Sequence, residues 1–207
     1  MIIIMSKHKT LLIRVALTNS GTIRSSIEAG NVTLEDLLTT FPFQNTFDAI
    51  SIKGRYIREA LEHSVATMNS DGSNGGGRFL QLSGMKVVFD VRNKVGDRVV
   101  TAEILGDNDK YESLDDEDVY NVVVSNYVLG GGDGYDMIEQ NKLSVSIGHL
   151  DTDVIKAEFD NFSPINATIE GRITILSDMN PGNVGYKISS CVILIIFQMF
   201  LLQLRVQ

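Results

Sequence analysis

The sequence predicts a mixed α/β domain of the α+β kind. Short apolar runs with β-like alternation are interleaved with stretches of helical periodicity, and glycine-containing, turn-rich loops separate them. At 207 residues and 43% hydrophobic, the chain is long enough for one ordinary domain with a substantial core.

The chain opens on Met1-Ile2-Ile3-Ile4-Met5, and its lysines and histidine follow this apolar run instead of preceding it, the reverse of a secretory leader. Leu11–Leu17 reads as a buried strand. Thr33-Leu34-Glu35-Asp36 has capping-box form, in which the hydroxyl and the carboxylate satisfy free backbone donors, so a short helix starts there. Phe47–Ile52 alternates as a strand. Ile57, Ala60, Leu61, Val65 and Met68 recur at helical spacing, giving an amphipathic helix that turns Arg55, Arg58, Glu59 and Glu62 to water and carries His63 at its boundary. Asn69–Gly77, rich in Gly, Ser, Asn and Asp, is a surface loop. Strands follow at Met85–Val91, Val99–Ile104 and Val119–Ser125, with an acidic, solvated loop over Asp107–Asp118.

A net charge of -8 and a pI of about 4.8 argue against nucleic acid as a partner, since phosphate backbones are held by clustered Lys and Arg. A small anionic ligand would need a local cationic pocket. One cysteine, Cys191, excludes an intrachain disulfide, so the compartment must be read from other features. Asn31-Val32-Thr33 and Asn166-Ala167-Thr168 fit the N-glycosylation pattern, which also arises by chance, making Asn31 and Asn166 the candidate acceptors. The run Cys191–Leu204 is short for a membrane span of about 20 residues. Preceded by a polar, small-residue stretch over Ser177–Ser190, it reads as a removable lipid-anchor signal with Ser177 as the attachment residue.

No P-loop, His-Glu-x-x-His, paired cysteine ligands or serine elbow is present, and His8, His63 and His149 lack ligand spacing. The catalytic and metal sets in this chain are therefore read as none. Two loops directly after apolar runs carry what chemistry there is, because ligands favour strand ends in α/β folds. In Asn19-Ser20-Gly21-Thr22-Ile23-Arg24, the arginine could pair with an anion and Asn19 could offer donor and acceptor to a base. The same pattern serves equally as a tight turn with a surface arginine. In Asn126–Tyr135, Asp133 can accept from vicinal hydroxyls and Tyr127 offers an aromatic face, although a structural turn would explain the glycines as well.

Taken in order, these segments resemble the ecto-5'-nucleotidase family and related secreted apyrases, from about Val15 to Ile175. Asn19–Ile27 resembles the family's Asn-x-Gly-x-Ile-Arg segment, and Phe41-Pro42-Phe43 with Thr46-Phe47-Asp48 its Pro-Phe-x-x-Thr-Phe-Asp segment. Leu61-Glu62-His63-Ser64, Gly77-Arg78-Phe79-Leu80-Gln81, Gly96-Asp97-Arg98-Val99, the Asn126–Gly134 loop and Ile169-Glu170-Gly171-Arg172-Ile173 follow in register. The resemblance implies the fold of that family's C-terminal domain, mixed sheets with covering helices, in which two aromatic rings clamp the base of a nucleoside. Carried over, the rings are Phe43 and Tyr127, with tyrosine replacing the phenylalanine of the mammalian form. Asn19 contacts the base, Arg24 the phosphate and Asp133 the ribose hydroxyls. Arg14 does not take the place of the family's second phosphate-facing arginine.

The resemblance also sets expectations for the whole protein. Residues 1–10 match nothing and mark a truncated start, residues 11–176 form the nucleoside-binding domain, and residues 177–207 form the spacer and anchor signal. The expected function is substrate recognition for a surface 5'-nucleotidase that hydrolyses nucleoside 5'-monophosphates, lipid-anchored on the extracellular face of the plasma membrane. Its two divalent metals of zinc type would sit in an N-terminal domain that this chain lacks, leaving the isolated chain inactive. The alternatives are an apyrase-like hydrolase of di- and triphosphates and a non-catalytic nucleoside-binding module; self-association as a homodimer is left open.

Overall fold

The computed structural model describes residues 2–6, 9–106, 108–166 and 168–179, with side chains from residue 13 onward. The hydrophobic run Cys191–Leu204 and most of the spacer before it lie outside the described residues.

The apolar stretch expected as one strand over Leu11–Leu17 is divided at Arg14. Its first part, β2 (Lys9–Ile13), pairs antiparallel with β1 (Ile2–Ser6), and its second, β3 (Val15–Asn19), enters a different sheet. That sheet has five strands in the order β10 (Ser144–Ser146), β4 (Phe47–Lys53), β9 (Val119–Ser125), β3, β5 (Leu80–Ser83). β3 and β9 run parallel, Val15 facing Val122, and the other pairs are antiparallel. A second sheet orders β11 (Ile173–Leu176), β6 (Met85–Asp90), β7 (Val99–Leu105) and β8 (Tyr111–Ser113), with β11 parallel to β6. The sheets are mixed and helices cover them, as the family resemblance implies.

The side-chain period of two explains how the central strands bury both faces. Val15 and Leu17 of β3, Ile50 and Ile52 of β4 and Val122 and Val124 of β9 point into the larger core. There they meet Met85, Val87 and Phe89 of β6 and the apolar side of α2 (Gly54–Ser64). The alternate residues Ala16, Ala49 and Val123 face a smaller core closed by Leu37 of α1 (Leu34–Thr40), Phe41, and Ile155 of α5 (Asp151–Phe162). The expected capping box is formed at α1: the Thr33 hydroxyl accepts from the Asp36 amide at 3.2 Å, and the Asp36 carboxylate accepts from the Thr33 amide at 2.8 Å.

Two expectations for α2 are corrected. The helix closes at Ser64 instead of reaching Met68. Beyond it, the carbonyls of Val65 and Met68 accept from the buried Arg98 guanidinium at 2.5 and 2.9 Å. Glu62, expected in water, accepts from the Arg98 amide at 2.9 Å and the Val99 amide at 2.7 Å, joining α2 to β7. Arg55 and Glu59 are exposed as expected. The Asp107–Asp118 stretch is more than a solvated loop. It contains β8, buries Leu114, and sets Asp116 2.8 Å from Arg58 and Glu117 3.1 Å from Lys53.

Candidate functional site

One end of the five-stranded sheet collects the carboxyl ends of β3 and β9 and the amino ends of β4 and β5, and every expected ligand residue lies in the segments leaving that end. Such a crevice beyond parallel strand ends is where open α/β sheets hold small molecules. Asn19 is the last residue of β3. The turn after it is pinned by Ser20 and Gly21 amides donating to the carbonyls of Phe79 and Gly77, both at 2.8 Å. The Arg24 amide then donates to the Thr40 carbonyl at the end of α1, at 2.9 Å. Phe43 follows in the turn between α1 and β4. That turn is tied to the opposite side of the crevice by the Asn126 amide, which donates to the Thr46 carbonyl at 2.9 Å.

β9 passes directly into the short helix α3 (Asn126–Leu129), whose first turn is capped by the Ser125 hydroxyl accepting from the Val128 amide. A 3-10 turn over Gly132–Gly134 follows, with Asp133 in the left-handed region at φ 56°, and leads into α4 (Asp136–Asn141). Its carboxylate is held from two sides. Asn19 Nδ2 donates to Oδ2 at 2.8 Å, and the Tyr127 hydroxyl donates to Oδ1 at 2.9 Å. That hydrogen bond, with some burial, holds the Tyr127 phenol above its ordinary pKa. Asn19 is 3% exposed, and with its Nδ2 committed to Asp133 its Oδ1 has no donor among the described residues.

The loop is shaped by what lies beneath it. His63 Nε2 lies 2.9 Å from the Asp133 carbonyl; because a carbonyl only accepts, this nitrogen carries a proton. The imidazole meets the fully buried Tyr135 ring edge to face at 5.0 Å, and the Tyr135 hydroxyl donates to the Arg78 carbonyl at 2.5 Å. Gly134, at φ +87°, has the His63 ring so close that a Cβ would stand 3.1 Å from it, while a Cβ on Gly132 would stand 2.6 Å from the Tyr127 ring. Glycines are required here for close approach.

Both candidate rings are left open. Phe43 is 56% and Tyr127 44% exposed, far from the burial that a phenylalanine following α1 would have as part of the core. The Arg24 guanidinium lies 5.8 Å from the Phe43 ring centroid and donates to the Gly21 carbonyl at 3.3 Å, leaving further N–H groups for an anion. All five residues, Asn19, Arg24, Phe43, Tyr127 and Asp133, thus project from one end of one sheet. The supporting role of His63 was not legible, because a lone histidine at a helix boundary carries no spacing signal. Asn31 and Asn166 are exposed. Ser177 follows β11 and is 5% exposed, its side chain packed within the domain. Among the described residues no group of three or more His, Cys, Asp or Glu converges as a metal site, and no helix is long and apolar enough to cross a membrane.

A family profile described as "5'-nucleotidase, C-terminal domain" matches residues 3–140. An apyrase of Tabanus yao is 42% identical over 167 residues, which cover 79% of this chain and 30% of that protein. The 5'-nucleotidase of Homo sapiens is 35% identical over 167 residues, covering 78% of this chain and 28% of that protein. Among solved structures, a 5'-nucleotidase precursor from Thermus thermophilus superposes with a TM-score of 0.74 at 34% identity, covering 80% of this chain and 32% of that one. The chain spans about 30% of the length of such curated relatives. With the profile matched over most of the chain and the fold shared with a solved relative, the chain belongs to the family of 5'-nucleotidase C-terminal domains.

Proposed function

We propose that this domain binds a nucleoside 5'-monophosphate and presents its phosphate to a hydrolytic centre, serving a 5'-nucleotidase that works outside the cell. The observation that carries this reading is the Asp133 carboxylate, fixed by Asn19 and by the half-exposed Tyr127, at the sheet end from which the half-exposed Phe43 also leaves with Arg24 beside its ring. Each group has a task that its chemistry suits. Phe43 and Tyr127 stack on the two faces of the base, and Asn19 Oδ1 accepts from a donor on its edge. Asp133 accepts from the vicinal hydroxyls of ribose, and Arg24 pairs with the phosphate in charge-assisted hydrogen bonds.

The site's residues bind and orient; none is placed to activate water. The donor set among the described residues does not fit the two-metal centre that the family resemblance implies, so no hydrolytic step is assigned to this chain. The reading expects binding without turnover from the isolated chain, with the two divalent metals held by the separate N-terminal domain that the family resemblance implies. The exposed Asn31 and Asn166 and the hydrophobic C-terminal run support an extracellular, lipid-anchored setting as part of the same proposal. A second reading, recognition of di- and triphosphates, is favoured by the 42% identity to a protein named apyrase.

Calorimetric titration of the full chain with adenosine, AMP and ATP tests the proposal. The expected order places AMP tightest, with Phe43→Ala weakening every ligand roughly 5- to 150-fold, the range of base–aromatic stacking. ATP binding well above AMP would favour the second reading, and an absence of heat with all three would defeat nucleoside recognition.

A further inference from the structure

The Asp133 carboxylate is the one group in the site whose two oxygens are each pinned by a separate donor, one from 114 residues earlier in the chain and one from 6 residues earlier. Asn19 supplies one from the end of β3. Tyr127 supplies the other through its hydroxyl. An ionised carboxylate has about four lone-pair sites. With one site on each oxygen occupied, one remains on each, and their plane is fixed because the group cannot turn about its terminal bond without breaking a hydrogen bond. The Tyr127 ring is bounded on one side by the backbone of Gly132, where a Cβ would stand 2.6 Å from it. The Asp133 main chain is held in turn by its left-handed conformation and by the His63 contact at its carbonyl.

Resting on the nucleoside reading above, we propose that the Tyr127 hydroxyl is a sugar-specificity determinant. It couples the base-stacking ring to the carboxylate, so that Asp133 presents its two free lone pairs to the vicinal diol of ribose and discriminates against 2'-deoxyribose. Tyr127 acts on the sugar through Asp133 and is in this respect a positioning residue. The bond to Asp133 is also the first cause that holds the Tyr127 phenol above its ordinary pKa.

The experiment compares adenosine and 2'-deoxyadenosine by calorimetry on the full chain and its Tyr127→Phe variant, which keeps the ring and removes only the hydroxyl. The expected result is a fall of about 10-fold in adenosine affinity, the scale of one hydrogen bond to a charged group, with a smaller loss for 2'-deoxyadenosine, which keeps only the 3'-hydroxyl for Asp133. Equal losses for both nucleosides, or adenosine binding as tight as in the unmodified chain, would overturn the inference while leaving nucleoside recognition intact. A ligand-free arm follows the Tyr127 phenol by NMR of ring-labelled tyrosine. Asp133→Asn should lower its pKa towards the ordinary value, and an unmoved titration would overturn the coupling itself. If the phenol responds but the unmodified chain binds neither nucleoside, the nucleoside reading fails, and sugar discrimination with it.

Discussion

At Gly132 the absence of a side chain sets where the Tyr127 ring can lie, because a Cβ there would stand 2.6 Å from both the ring and the Tyr127 carbonyl oxygen. The ring, half exposed, yields by swinging out, and the backbone yields by a smaller shift. Gly132→Ala is therefore expected to cost about 1–3 kcal/mol of stability, as overpacking does, and to lower adenosine affinity by about 10-fold through the displaced ring. Thermal unfolding and titration of one sample check both, and unchanged affinity would remove Tyr127 from the base clamp. At this scale the sequence was partly readable. The chemistry of Asn19, Arg24 and Asp133 was visible in their side chains, but Phe43 alone would have passed as ordinary core. Only the family resemblance singled it out, and the fold places it in the open turn between α1 and β4. His63 supports the loop from beneath together with Tyr135, and no local pattern announces the histidine, which comes from 70 residues away along the chain.

Among the elements, α2 is the one whose attachment differs most from its periodicity. A water-facing Glu62 would be replaceable, yet its carboxylate accepts from two amides of the segment entering β7. Glu62→Ala strands both donors in a partly buried place and is expected to cost roughly 2–3 kcal/mol in urea unfolding, whereas Glu59→Ala on the exposed face should stay within about 0.5 kcal/mol. Equal effects of the two substitutions would show that the Glu62 bonds contribute nothing. The strands with clean alternation or continuous apolar runs, β4, β6, β7 and β9, were legible because both cores demand that pattern. The helix α5 was not. Its buried side includes Asp151 and Glu158 beside Ile155, so the apolar stripe that marks a helix is interrupted. β10 and β11 are short and take their structure from the strands they join, β4 and β6, instead of from local propensity.

Across the whole molecule, those two acidic residues make stability depend on pH. Glu158 is 1% exposed with one carboxyl oxygen unpartnered, and burial pushes it from the ordinary 4.5 up to about 7. Burial likewise lifts Asp151 from 3.8 to about 6, against a hydrogen bond from the Thr152 amide that favours the ionised form. Both folded-state values lie above the unfolded ones, so the native state binds more protons between about pH 4 and 7 and stability falls as pH rises through that window. Glu158→Gln should raise stability by roughly 2–3 kcal/mol at pH 8 and change it little at pH 4. Urea midpoints at the two pH values decide this, and equal shifts at both would show that Glu158 does not titrate on folding. The parallel pairing of β3 with β9, Val15 against Val122, carries a consequence in time. A ribosome delivers Asn19 and Phe43 long before Tyr127 and Asp133, and contacts so far apart in sequence form slowly because loop closure must precede them. A growing chain therefore carries Asn19 without its Asp133 partner, and these side chains come together only after the central strands have joined.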